Sequence, residues 1–159
     1  ISRKSFEGGR SKEISRLIGR SLRSVCDLAI LNGYLVTVDC DVLDADGGTR
    51  TASINGAWIA LNETFNNLVE QKKLVQNPIT NQIAALSVGI VDGEFIADLD
   101  YEKDSNAEVD LNLVLNDKYE ILEIQGTAEQ KPFSKESLDK LFEITKDEVN
   151  KVFDIQKST

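Results

Sequence analysis

The chain has 159 residues, of which 41% are hydrophobic and 28% charged, with two prolines and a net charge of −9. This composition suits a soluble globular protein with a sizeable core and excludes a disordered linker. No apolar run approaches the roughly twenty residues of a membrane helix, and the N-terminal "ISRKSFEGGRSK" has no signal-peptide core, so the expectation is a cytoplasmic protein without a membrane partner.

Residues 1–23 hold seven Lys/Arg against two Glu, a balance of +5 that leaves −14 for the remainder. A basic end beside an acidic body can meet a polyanion while carboxylates hold metal ions; the plainer alternative is a solvated helix face. The chain contains no methionine and opens on a polar, Gly-containing loop, so its first residue is not expected to be the natural beginning of the protein. In "KEISRLIGRSLRSVCDLAI", Ile14, Leu17, Ile18, Leu22 and Val25 keep a helical spacing, which Asn32-Gly33 would end. "YLVTVDC" then reads as a short strand. Cys26 and Cys40, without metal-ligand spacing, are expected as buried free thiols.

Next comes "DCDVLDADGGTRTAS", with four aspartates at 39–46 running into Gly47-Gly48-Thr49-Arg50. A glycine turn that opens a helix, followed by Thr and Arg, suits a bound anion, phosphate first, because helix N-termini present unpaired N–H groups and partial positive charge. Arg50 could equally pair with Asp44 or Asp46. The helix that follows places Ile54, Ala57, Trp58, Leu61, Phe65 and Leu68 on one face.

"IAALSVGIVDGEFIADLDY" reads as two strands around Asp92-Gly93, and "EVDLNLVLNDKYEILEIQGTAE" as two more around Asn116-Asp117-Lys118. Gln125-Gly126-Thr127-Ala128-Glu129 reads as a turn ending the last strand. In the tail, Ser134 is an N-cap, with Leu138, Leu141, Phe142, Val149, Val152 and Phe153 on one face. Helices flanking hairpins indicate an α+β layered fold, with no internal repeat and one folded unit over residues 1–159.

Histidine is absent, which removes Ser-His and Cys-His pairs and leaves any chemistry to carboxylates, Lys/Arg, a metal or the substrate. "DLDYEKDSNAEVD" gathers Asp98, Asp100, Glu102, Asp104, Glu108 and Asp110, but Lys103 and Val109 stand where an EF-hand loop needs Gly and Glu. Either this is a solvated acidic loop, or two of its carboxylates hold Mg²⁺ beside substrate phosphates.

The segments "GRSKEISRLIGRSLRSVCDL", "DCDVLDADGGTRTASINGA", "VGIVDGEFIADLDYEKDSNAEVDLN" and "EIQGTAEQKPFS", in this order, closely resemble the ribonuclease PH family, phosphate-dependent exoribonucleases that trim tRNA precursors at the 3′ end. The resemblance implies a two-layer α+β domain of mixed sheet and packed helices. It implies inorganic phosphate as co-substrate, bound by Arg10, Gly48, Thr49 and Arg50, and Mg²⁺ or another divalent cation at Asp104 and Asp110, which act through the metal. Partners would be RNA, specifically tRNA 3′ ends, and further copies of the chain in a hexameric ring. The general acid is not identified. Asp44 stands where the family commonly has glutamine, and the family's N-terminal portion, with strands and a basic RNA-guiding region, is absent from this chain. A non-catalytic RNA-binding or ring-scaffold subunit is the alternative.

Overall fold

A computed structural model describes residues 9–158. In chain order it contains α1 (Gly9–Arg23), α2 (Thr49–Glu70), β1 (Ile83–Val91), β2 (Glu94–Ala97), α3 (Tyr101–Asn106), β3 (Val109–Asn116), β4 (Ile121–Ala128) and α4 (Lys135–Ser158). The strands form one antiparallel sheet in the order β2-β1-β3-β4. Asp92 and Gly93, at φ 51° and 79°, make the tight β1–β2 turn that the sequence announces, since both central residues of such a hairpin turn take left-handed conformations.

Strand alternation sends successive residues of each strand to different cores. Leu86, Val88, Val109, Leu111 and Leu113 pack with Leu141, Val149 and Phe153 of α4. Ile83, Ala85 and Val114 point the other way, onto Leu17, Ile54 and Trp58 of α1 and α2. The expected α+β class holds, and its layering is refined: helices cover both faces of the sheet. Ser134 caps α4 as expected, its Oγ accepting a hydrogen bond from the Ser137 amide at 3.1 Å.

Three expected elements are corrected, along with the burial of the two cysteines. α1 stops at Arg23, well before Asn32-Gly33. Beyond it the chain is captured by the segment before β1: the Thr80 amide donates to Val25 O at 2.9 Å, the Asp27 amide to Pro78 O at 2.8 Å, and Cys26 forms an isolated bridge with Ile79. These tertiary bonds replace the helical ones that would continue α1.

"YLVTVDC" is extended but forms no ladder among the described residues, because a strand exists only through a neighbour to pair with. Tyr34, Val36, Val38, Asp39, Cys40 and Val42 line a cavity of about 740 Å³ against α1 and α2, while Leu35 and Leu43 stand 93% and 97% exposed. Cys26 and Cys40 are free as expected, but neither is fully buried and Cys40 is exposed. The third correction concerns Gln125-Gly126-Thr127-Ala128, which is the body of β4 and not a turn: Thr127 pairs with Asp110 and Gln125 with Asn112. Gly126 is required there by close approach, since a Cβ would lie 1.8 Å from Leu111 Cδ2 and 2.7 Å from Asp110 O.

Candidate phosphate and metal site

The sheet face under α1 and α2 changes character along its length. Ile83, Ala85 and Val114 form its apolar end; Ser87, Asn112, Asp110, Gln125 and Thr127 continue the same alternation as a polar end. Buried polar groups require partners; the loop after β2 supplies one to Ser87 and α1 supplies one to Gln125.

The head of α2 sits here. Gly48 precedes it in a left-handed conformation at φ 70°, with no side-chain cap and no acidic residue in the first turn. Thr51 Oγ1 donates back to Gly48 O at 2.8 Å. Gly47 lies so close to the segment after β2 that a Cβ would come within 2.1 Å of Leu99 O. Asp46 Oδ1 accepts from the Tyr101 amide at 2.7 Å and from the Gly47 amide at 2.9 Å. Ser87 anchors the same place from below, its carbonyl accepting from the Asp98 amide at 2.7 Å and its Oγ from the Leu99 amide at 3.2 Å. The glycine turn and the acidic segment are thereby one unit, although some fifty residues of sequence separate them.

Arg50, in the first turn of α2, donates through Nη2 to Glu13 Oε2 at 3.2 Å, not to Asp44 or Asp46. Glu13 also accepts from Gln125 Nε2 at 2.8 Å. Its carboxyl is held below the usual range, first by the Gln125 hydrogen bond and then, against some desolvation, by Arg50 and Arg10. Arg10, Glu13 and Arg50 are therefore neighbours.

Asp104 lies on α3 and Asp110 on β3. Burial, then the nearby Asp104 carboxylate, push the Asp110 pKa up to about 6; Arg50 pulls it down and Glu129 adds to the rise. Asp100 caps α3 by accepting from the Lys103 amide at 2.9 Å and pairs with the Lys103 ammonium, so it is occupied structurally.

Arg50 Nε, Asp110 Oδ1 and Gln125 Oε1 are buried without hydrogen-bond partners. A donor on a guanidinium and acceptors on a carboxylate and an amide, stranded around one place, fit a site that completes its bonding with a ligand. No group of three or more His, Cys, Asp or Glu among the described residues could by itself enclose a metal ion. Mg²⁺ does not need one, since it keeps several waters and is held by one or two carboxylates plus substrate phosphates; Asp104 and Asp110 fit that donor set.

All six residues expected from the sequence fall among the described residues, with Arg10, Gly48, Thr49 and Arg50 on α1 and the head of α2, and Asp104 and Asp110 close enough to repel. Glu13 and Gln125 were missed. Glu13 precedes Leu17 and Ser21 at intervals of four, and both of those are buried, so a carboxylate on the inward stripe of α1 was the available signal. Arg20 of α1 is bidentate to Glu123 of β4 with both N–O distances 2.9 Å.

The model of the 3′ exoribonuclease family, domain 1, matches residues 2–65, and that of domain 2 matches residues 81–148. A curated relative, ribonuclease PH of Synechococcus sp. (strain CC9605), is 51% identical over 149 residues, covering 94% of this chain and 60% of its own length. Among solved structures, rice (Oryza sativa) Rrp46 is similar with TM-score 0.68 and 19% identity, over 94% of this chain and 65% of its own. An Archaeoglobus fulgidus exosome with RNA bound to the active site gives 0.63 and 20% over 88% and 60%, a likeness of fold. With both halves of the family pattern present in order and half of the aligned residues shared with a curated member, the chain belongs to the ribonuclease PH family of 3′ exoribonucleases.

Proposed function

We propose that the protein to which this chain belongs is a phosphorolytic 3′→5′ exoribonuclease that trims tRNA precursors and releases nucleoside diphosphates. The observation that carries the reading is the stranded Nε of Arg50 beside the stranded carboxylate oxygen of Asp110, at the head of an uncapped helix. Phosphate is already an oxyanion nucleophile at neutral pH, so the absence of histidine is no handicap. An oxygen of inorganic phosphate attacks the phosphorus of the last internucleotide linkage, the 3′ oxygen of the penultimate nucleotide departs, and the terminal nucleotide leaves as a diphosphate.

The residues of the chain bind and orient. Arg10 and Arg50 offset the repulsion between two anions, and the planar guanidinium fork of Arg50 suits a phosphate. Gly48 and Thr49 bring the backbone amides of α2 close to it. When bound at Asp104 and Asp110, Mg²⁺ or another divalent cation supplies charge neutralisation at the scissile phosphate. Such chemistry rests on positioning and electrostatics more than on a protein nucleophile. Likeness to exosome proteins supports a ring of subunits, a homohexamer in this reading.

The test is trimming of a tRNA with a short 3′ extension, with Mg²⁺, plus and minus inorganic phosphate, by the complete protein and by this chain. Nucleoside diphosphates released only with phosphate are the expected result. Hydrolysis to monophosphates overturns phosphorolysis, and silence from both proteins favours a scaffold.

A further inference from the structure

Glu13 lies between Arg50 and Gln125 with one carboxylate oxygen for each: Oε2 accepts from Arg50 Nη2 at 3.2 Å and Oε1 from Gln125 Nε2 at 2.8 Å. The three side chains come from α1, α2 and β4, elements far apart in sequence. We infer that Glu13 is a positioning residue for the phosphate site: it fixes the Arg50 guanidinium so that Nε, buried and unpartnered, faces the incoming anion, and Gln125 on the sheet keeps Glu13 in place. The inference rests on the reading of Arg50 as a phosphate ligand.

An acidic group beside an anion site invites the opposite reading, in which Glu13 occupies the place that phosphate would take. Three observations decide against it. Its contact with Arg50 is a single bond to one nitrogen of a five-donor fork, leaving Nε unclaimed. Its second oxygen is tied to Gln125, so the carboxylate is anchored at both ends and is not a mobile competitor. Gln125 is in turn held on β4 opposite Asn112, with its Nε2 directed to Glu13 and its Oε1 stranded.

The physical gain is orientation. A guanidinium recognises phosphate through a planar fork, and a long, rotamer-rich side chain at a helix head points that fork usefully only when another group holds it. The negative charge of Glu13 weakens the local field, a cost that fixing the fork offsets in this reading. Gln125, uncharged, holds the acceptor without adding to the field.

The test is calorimetric titration of inorganic phosphate into the protein and its variants. Glu13→Ala is expected to weaken phosphate binding about tenfold, whereas Glu13→Gln, which keeps an acceptor, stays within about threefold of the parent. In turnover by the complete protein, Glu13→Ala should raise the KM for phosphate while the KM for RNA and kcat at saturating phosphate stay within about twofold. A purely structural role would instead lower Tm and depress all of these together, and overturns the inference. So does phosphate binding in Glu13→Ala that equals or exceeds the parent's, which is the competitor's signature. Should Glu13→Ala not fold, Gln125→Ala removes the anchor without touching charge; about threefold weaker phosphate binding supports the inference and unchanged binding overturns it. Arg50→Ala separates the two levels: unaltered phosphate binding there defeats the Arg50 reading itself, whereas loss in Arg50→Ala with none in Glu13→Ala defeats only the role of Glu13.

Discussion

Asp46 accepts a hydrogen bond from the backbone amide of Tyr101 at 2.7 Å, and through it the glycine turn ahead of α2 is fastened to the acidic segment that carries Asp104. Because the same oxygen also accepts from the Gly47 amide, Asp46→Ala frees two amides at once. Loss of about 1–2 kcal/mol in urea unfolding is expected, together with weaker binding of both inorganic phosphate and Mg²⁺ in separate titrations. A variant that loses affinity for only one of the two would show that the turn and the acidic segment are independent.

Gly126 lies on β4 against the backbone of Asp110, where an added Cβ would meet Leu111 Cδ2 at 1.8 Å and Asp110 O at 2.7 Å. Leu111 is buried in the core under α4 and the Asp110 carbonyl is backbone of β3, an inner strand of the sheet, so neither yields freely. Gly126→Ala is expected to destabilise by about 1–3 kcal/mol and to disturb the metal-site strand. Denaturant midpoints check the first effect; unchanged stability would mean that the β3–β4 ladder gives way more easily than its register suggests.

Asp110 sets a pH dependence whose sign follows from its raised folded-state value, about 6 against an ordinary 3.8. The folded protein holds this proton more tightly than the unfolded chain does. Its ionisation therefore costs nothing below about pH 4, and the cost grows as pH rises through about 6. In metal-free buffer, Asp110→Asn should stabilise the protein at pH 7 by about 1–2 kcal/mol, the full shift being discounted because the carboxyl is only partly buried and screened by solvent, and lose that advantage near pH 4. Mg²⁺ should stabilise the parent at pH 7 and leave the variant unmoved. Equal stability of the two at pH 7 would mean that Asp110 is solvated in the native state.

The Arg20–Glu123 pair is bidentate, but the arginine side chain is 50% exposed. Its removal by Glu123→Gln is expected to move the denaturation midpoint little, and less still at high salt. Chemical denaturation at two ionic strengths measures this. A larger, salt-independent loss would identify the pair as a structural clamp between α1 and β4.

Leu35 and Leu43 stand almost fully exposed on the extended segment after α1. Replacing both with Ser should leave unfolding free energy within about 0.5 kcal/mol, since neither contributes to a core, and should reduce self-association measured by light scattering. A substantial loss of stability would mean that these side chains pack against something in solution.

The hairpins, the apolar faces of α2 and α4 and the Ser134 cap were legible because each is written in near neighbours: a left-handed dipeptide, a period of two or 3.6, a hydroxyl three residues ahead of the amide it caps. The phosphate and metal residues were assigned through family resemblance, and their types alone left open a solvated acidic loop and a pairing of Arg50 with Asp44 or Asp46. The end of α1, the lack of a ladder at 34–40 and the strand character of 125–128 were not legible, because each depends on elements distant in sequence: Pro78 and Thr80 capture the first, the second meets no strand among the described residues to pair with as a ladder, and Asp110 recruits the third.

Composition and short-range periodicity sufficed for the α+β class, the four strands of the sheet and the charge types available for chemistry, because both are properties of neighbouring residues. That Arg50 bonds Glu13 rather than an adjacent aspartate, that Gln125 belongs to the site, and that Asp110 is pushed toward neutrality became visible in the folded arrangement. Those outcomes depend on burial and on hydrogen bonds between elements that meet only when α1 and α2 close over the polar end of the sheet, where desolvation makes each pairing, and each atom left without one, consequential.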